Sequence, residues 1–296
     1  MIRKRRIHVI INTNNTKDKF MKNALLKILL YGGSGHVGSA LTYGWEVKKL
    51  VTNNQVAKIG RPKNGVYNYG DITPQNADVI IVAVKPGDVA VVASELRGKL
   101  RQEQLIISTA ALLSLGELQK LFGHYAVVRT MPTLGLSVAM SDTVWLADSN
   151  LSHEHIELVE YLLGKLGKLT RAEHDFEVDV HTLNAACLLG EIAWLLCKLL
   201  GSDKSGSIIS RESVLYNTKA VIALVEQLPD LNLHILAEAV QTEKGITKEI
   251  ISSLESNNLS DILQTGTEAG LQRLVELLKQ FNQPHEHLSI IQEIND

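Results

Sequence analysis

The chain has 296 residues, 45% apolar and 21% charged, with a formal net charge of -2. That length exceeds the roughly 100 to 200 residues of one usual core, so two domains are expected, and the composition excludes collagen, coiled coil and wholesale disorder. The near-neutral charge, with no massed basic stripe, speaks against a nucleic-acid partner.

At the start, Arg3, Lys4, Arg5 and Arg6 precede a polar run with Asn12, Asn14 and Asn15. A secretory signal needs an apolar stretch of about 7 to 15 residues after such a basic start. Residues 7–11 are too few, and His8 interrupts them. Residues 1–20 are expected to be a flexible extension with Met21 opening the domain; an organelle-targeting peptide is the alternative. No uncharged apolar stretch approaches the roughly 20 residues of a spanning helix, so no membrane partner is expected.

From residue 22 to about 147, apolar runs alternate with helical patterns, the signature of a parallel sheet covered by helices. The first run, 25–31, ends in Gly32 and Gly33, where a helix should start and continue past Leu41 and Trp45 toward Leu50. A short strand, 55–59, follows the Asn53-Asn54 turn. Residues 77–84 are rich in β-branched side chains, which suits a central strand buried on both faces. Lys85-Pro86-Gly87-Asp88 breaks that strand, and Asp88 is placed to cap a helix reaching about Leu100. Strands are expected at 105–108, 126–129 and 144–146, with a short helix at 115–122.

Beyond Asn150 the pattern turns helical. Ile156, Val159, Leu162 and Leu163 fall on one helix face, and residues 151–169 should pack back on the sheet. Long helices are expected over 181–200, 210–228 and 261–281. The fold class is therefore α/β: a Rossmann domain with a doubly wound parallel sheet over 21–175, followed by an all-α domain over 176–296. Cys187 and Cys197 fit neither a CxxC motif nor a paired metal site and read as buried thiols. Such sparse cysteine use favours a reducing compartment, the cytoplasm.

The strongest motif is Gly33-Ser34-Gly35-His36-Val37-Gly38, directly after a strand and at the start of a helix. The first glycine allows the tight turn, the second lets backbone approach a pyrophosphate, and the third permits close packing of helix on strand. The helix start offers unpaired N–H groups and a favourable dipole to the anion. A dinucleotide site is the reading, against a merely structural glycine turn. About 20 residues further on, an acidic side chain would hold a ribose 2′-hydroxyl. Here no acidic residue occurs between Glu46 and Asp71, and Arg61 and Lys63 stand in its place. Their charge suits a 2′-phosphate, so NADP(H) is preferred over NAD(H); solvated loop cations are the alternative. Val84, Lys85 and Pro86 close the central strand where loops line the ligand crevice, so Lys85 is expected to face cofactor or substrate. Ser108-Thr109-Ala110-Ala111 and Arg129-Thr130-Met131-Pro132 are placed just past strand ends, with Ala110 and Met131 read as cofactor contacts.

In order along the chain, these pieces resemble the pyrroline-5-carboxylate reductase family, enzymes that reduce a cyclic imine to proline with NAD(P)H. The resemblance runs from about Lys27 to Leu278: the glycine loop, Val84-Lys85-Pro86, residues 107–111, residues 128–132 and Leu166-Gly167. It continues with Asp179 and Thr182, and with Val240-Gln241-Thr242-Glu243-Lys244-Gly245-Ile246-Thr247, which looks like the family's substrate loop V-T-S-P-G-G-T-T. By position, Thr242 stands where the family has its serine, Gly245 matches the second glycine and Thr247 the final threonine. The resemblance implies that this loop and the following helix start hold the substrate carboxylate. It places Thr247 near the imine nitrogen, as a catalytic group beside Lys85; a helix N-cap is its other reading.

The departures lie on the substrate side. Thr242-Glu243-Lys244-Gly245 replaces S-P-G-G, residues 186–191 replace G-S-G-P-A-Y, and Thr133 replaces the asparagine after Met-Pro. Glu191, a carboxylate in an apolar stretch, is a candidate for an ammonium or iminium group, set against an exposed helix position. His153, His155, His174, His285 and His287 give no convincing metal spacing, and no metal is expected. The resemblance implies hydride transfer to the C=N carbon of a small imine and a homodimer or larger assembly through the C-terminal helices. The rival readings are a dinucleotide-binding regulatory paralogue without reductase activity, and a reductase for a different imine, ketone or deazaflavin partner.

Overall fold

A computed structural model of the chain describes residues 26–62, 67–123, 126–183 and 246–280, with 218, 219 and 222. The contacts divide the chain into one unit of Met1–Ala185 with Leu277–Asp296 and a second of Ala186–Glu276.

The first unit is built on a seven-stranded sheet in the order β2-β1-β3-β4-β5-β6-β7. The strands are β1 (Ile28–Tyr31), β2 (Val56–Ile59), β3 (Val79–Val82), β4 (Leu105–Ser108), β5 (Val127–Pro132), β6 (Ser141–Ala147) and β7 (Gly167–Arg171). The helices described in the two units are α1 (His36–Lys48), α2 (Val89–Leu96), α3 (Leu115–Phe122), α4 (His153–Leu162), α5 (Asp175–Leu183), α6 (Ile246–Ser256) and α7 (Leu259–Gln280).

Side chains alternate across β1, β3 and β4, and both faces are covered, which is why these strands read as unbroken apolar runs. Ile28, Leu30, Val79, Ile81, Leu105 and Ile107 pack with Leu41 and Trp45 of α1 and Leu158, Val159 and Leu162 of α4. Leu29, Tyr31, Ile80, Val82 and Ile106 pack with Val89, Val92, Ala93 and Leu96 of α2 and with Leu118 and Phe122 of α3. Two polar contacts join α1, with the turn after it, to α4: the Trp45 indole N–H donates to the Leu162 carbonyl at 2.8 Å, and the Tyr161 hydroxyl donates to that of Leu50 at 2.5 Å.

Three details differ from the sequence expectations. The sheet is not parallel throughout, because β6 pairs antiparallel with β5, whereas the other neighbouring strands pair in parallel. Residues 133–140 are too short a link for a parallel crossover, which needs a dozen residues or more, whereas α4 gives β6 and β7 room to pair in parallel. Residues 151–169 pack back on the sheet as expected, through α4, and the chain then forms the edge strand β7 from Gly167. Asp88 makes no side-chain cap; Pro86–Asp88 form a 3-10 turn that runs straight into α2, so Asp88 already has helical backbone angles. Arg129 to Pro132 lie within β5, not beyond its end.

The expected helix over 261–281 is found as α7, with Leu274, Val275 and Leu278 buried. The expected helices over 181–200 and 210–228 fall largely outside the described residues.

Candidate functional site

The strand order sets the site's place. β1 pairs with β2 on one side and β3 on the other, so connections leave in opposite directions and open a crevice at the carboxyl ends of these strands. The residues following all three line one cleft of about 590 Å³: Gly32, Ser34 and Gly35 after β1, Gly60, Arg61 and Pro62 after β2, and Ala83, Val84 and Lys85 after β3. That volume falls in the range of small-molecule sites, roughly 300 to 1,000 Å³.

The turn after β1 needs glycine for identifiable reasons. Gly32 has φ +76°, and a Cβ there would stand 2.3 Å from the Ala83 carbonyl oxygen. A Cβ on Gly38 would stand 2.4 Å from the Gly32 carbonyl oxygen, so α1 can approach β1 only without one. Gly35 is the N-cap of α1, where no side chain caps the helix and no acidic residue occupies the first turn. The orphan N–H groups of that turn are the donor set a pyrophosphate requires. Among the six motif residues, Ser34 and Gly35 line the cleft, His36 is exposed at the helix start, Gly33 and Gly38 are buried, and Val37 packs on the core.

Arg61 and Lys85 are both exposed at this cleft, and neither makes an ion pair with a described residue. Asp88 lines it as well and sets one negative charge against the two positive ones. Val84 lines the cleft, and Pro86 starts the 3-10 turn below it. Ala110 and Met131 do not line it: Ala110 is buried beside β4, and Met131 packs with Leu146, Ala172 and Val178. Lys63, Glu191, Thr242 and Gly245 lie outside the described residues. Thr247 falls in the first turn of α6, which begins at Ile246.

Sequence reasoning missed the cleft's aromatic wall. Tyr31 and Tyr67 line it, their rings edge-on at 5.5 Å, and Tyr69 stacks on Tyr67 at 6.1 Å. The Tyr31 and Tyr69 hydroxyls are 2.9 Å apart, and Tyr69 donates to Glu95 Oε1 at 2.7 Å. Burial, followed by the bond to Tyr69, holds the Tyr31 hydroxyl far above the ordinary phenol range. Burial likewise raises Tyr67 and Tyr69. Burial would raise Glu95, but hydrogen bonds from Lys99 and Tyr69 outweigh it and hold the carboxyl below its usual range. Two tyrosines so soon after Arg61 were the one available signal.

It also missed the role of Arg129. That side chain is fully buried, paired with Asp175 at 2.6 Å and with Asp179, so it ties β5 to α5. The Asp175 carboxylate accepts in addition from the Leu115 backbone N–H at 2.9 Å, at the start of α3. The sequence marks Arg129 and Asp179 separately, within two motifs of the family resemblance, and nothing in it pairs them.

Comparisons with known proteins agree with the geometry. The family described as NADP oxidoreductase, coenzyme F420-dependent, matches residues 27–112, which span β1 to the turn beyond β4. The pyrroline-5-carboxylate reductase of Pasteurella multocida is 27% identical over 217 residues, covering 70% of this chain and 77% of that protein. The Haemophilus influenzae pyrroline-5-carboxylate reductase is 23% identical over 274 residues, covering 85% and 97%. In fold, the chain is similar to a Plasmodium falciparum pyrroline carboxylate reductase solved with NADP bound, with a TM-score of 0.72 at 21% identity, over 85% of this chain and 98% of that one. In sequence the chain is thus similar to pyrroline-5-carboxylate reductases over most of its length, and in fold it is similar to one of them.

Proposed function

We propose that this protein is an NAD(P)H-dependent reductase acting on the C=N bond of a small cyclic imine such as 1-pyrroline-5-carboxylate, with NADPH the preferred cofactor. The observation that carries the reading is the convergence of an uncapped helix start, Arg61 and Lys85 on one cleft at the switch point of the sheet.

Reduced nicotinamide supplies a hydride to the imine carbon while the nitrogen takes a proton, so the C=N bond becomes CH–NH. The protein's part is orientation and charge placement. The N–H groups at the start of α1 hold the pyrophosphate. Arg61, with Lys63, holds the 2′-phosphate. Lys85 fixes the cofactor's position from the end of β3. The substrate carboxylate is held by Thr242, Gly245 and the N-terminus of α6, where unpaired N–H groups suit an anion, and Thr247 orients the imine nitrogen. Glu191 is assigned to the positive charge of the iminium. The reading extends to a Rossmann domain over 21–175, a helical domain over 176–296 that pairs two subunits, and a cytoplasmic location.

The changes from S-P-G-G to Thr242-Glu243-Lys244-Gly245, and from G-S-G-P-A-Y to residues 186–191, favour one second reading: a dinucleotide-binding regulatory paralogue. A steady-state assay with NADPH and pyrroline-5-carboxylate decides between them. Turnover that falls sharply in Thr247→Ala supports the reductase. Tight NADPH binding without turnover in the parent overturns it and leaves the regulatory paralogue.

A further inference from the structure

Tyr31, Val82 and Ser108 are register partners, so Gly32, Ala83 and Thr109 stand in line one residue beyond them, at the carboxyl edge of β1, β3 and β4. Backbone bonds carry the pairing that far: the Ala83 N–H donates to the Tyr31 carbonyl at 2.9 Å, and the Thr109 N–H to the Val82 carbonyl at 3.0 Å. Side chains alternate along a strand, and Leu105 and Ile107 pack on the α1 side, so Thr109 faces that side, where Ala83 also packs. Neighbouring strands are about 4.8 Å apart, which sets Thr109 one strand from a residue of the cleft and two from the glycine turn. The hydroxyls beside it are engaged: Ser108 Oγ accepts from the Ala110 N–H at 3.3 Å, and Thr130 Oγ1 donates to the Ser108 carbonyl at 3.2 Å. Thr109 Oγ1 exchanges no hydrogen bond with a described residue, although the residue is only 9% exposed. A hydroxyl so placed costs stability that valine, of the same shape, would not.

A dinucleotide leaves its pyrophosphate in two directions. Arg61, after β2, stands to one side of the glycine turn, and Ala83 and Thr109 stand to the other. Resting on the dinucleotide reading above, we propose that Thr109 Oγ1 binds the carboxamide of the nicotinamide ring. The carboxamide is the ring's one polar substituent, and a threonine hydroxyl can donate to its oxygen or accept from its nitrogen. A bond at that point stops the ring from turning about its link to the ribose, and so decides which face meets the substrate. Thr109 thereby positions the hydride donor, and the stability its hydroxyl costs is offset only when cofactor is bound.

The test titrates the full-length protein with NADPH and with 2′-phospho-ADP-ribose, the same molecule without its nicotinamide. Thr109→Val should weaken NADPH binding roughly fivefold, the worth of one hydrogen bond between uncharged groups, and leave 2′-phospho-ADP-ribose binding unchanged. Thr109→Ser, which keeps the hydroxyl, should restore NADPH affinity. Without ligand, the urea midpoint of Thr109→Val should equal or exceed the parent's, because the exchange removes a near-buried polar group and no hydrogen bond to a described residue. NADPH binding indifferent to Thr109→Val, an equal loss for the two ligands, or a midpoint below the parent's overturns the inference and leaves the dinucleotide reading standing. So does a Thr109→Ser variant as weak as Thr109→Val. Failure of the parent to bind either ligand removes both.

Discussion

The turn after β1 and the junction of β5 with α5 hold the same unit together by opposite means. The turn works with backbone: its glycines allow approaches so close that an added Cβ would stand 2.3 and 2.4 Å from a carbonyl oxygen, at Gly32 and Gly38. The junction works with side chains: a fully buried Arg129 faces Asp175 and Asp179, 46 and 50 residues away in the chain. The difference teaches which contacts a sequence displays. A backbone constraint is written in consecutive letters, whereas an ion pair between distant segments exists only once the sheet has formed. It also says where the molecule is brittle, because a buried charge deprived of its partner costs more than a crowded methyl group.

The sharpest way to break this comparison is Arg129→Met. It keeps much of the apolar stem but takes the guanidinium away from two carboxylates, one of them fully buried. Removing one partner of such a group destabilises by about 3–5 kcal/mol, and urea denaturation of the full chain measures it. A loss below about 1 kcal/mol would rank the cluster with surface ion pairs and erase the contrast.

The glycines come next. Gly32→Ala combines left-handed backbone with a contact of 2.3 Å, and Gly38→Ala would press α1 off β1. Each should cost about 2–3 kcal/mol by the same denaturation measurement. Gly35→Ala is the control that separates fold from function. Its φ of -76° suits alanine, and its new Cβ would meet only the Gly32 carbonyl oxygen, at 3.2 Å. Stability should fall by less than about 1 kcal/mol, while dinucleotide binding is lost because the methyl group occupies the anion's approach. Equal destabilisation by all three would mean that the turn is structural throughout.

The same distinction explains what the sequence revealed. β1, β3 and β4 were legible because both their faces are apolar, and α3 because Ser114 and Glu117 form a capping box around a short amphipathic run. β7 was not, since Gly167-Lys168-Leu169-Thr170-Arg171 sits at the sheet's edge with its side chains largely exposed, and no apolar pattern marks it. In the cleft, the glycine motif, Arg61 and Lys85 announced themselves by residue type and by position after a strand. Tyr31, Tyr69 and Glu95 did not: their hydrogen bonds join residues 38 and 26 positions apart, and no local pattern encodes such a pairing.

Trp45 tests a case between the two extremes, a long-range contact that carries no charge. Its indole is fully buried and donates to the Leu162 carbonyl across 117 residues. Trp45→Phe deletes the donor and some packing, and should lower stability by about 1–2 kcal/mol in the same denaturation series. A cost matching that of Arg129→Met would show that distance along the chain, and not charge, makes a contact indispensable.

Arg61 should give the smallest effect, and one visible only with ligand. The side chain is exposed and makes no ion pair with a described residue, so Arg61→Ala should leave stability within about 0.5 kcal/mol of the parent. For cofactor binding the expectation divides by ligand. A charge-assisted contact to a 2′-phosphate at an exposed site, discounted for solvent screening, contributes about 1 kcal/mol, so NADPH affinity should fall roughly fivefold while NADH affinity stays put. The gap should narrow as salt is added, because the charges are not shielded by protein. Asp88 supplies the internal check: it lines the same cleft with the opposite charge, so Asp88→Asn should favour NADPH. If Arg61→Ala weakens NADPH and NADH alike, the arginine holds the part of the cofactor common to both, and the preference for a 2′-phosphate must rest on another residue of the cleft.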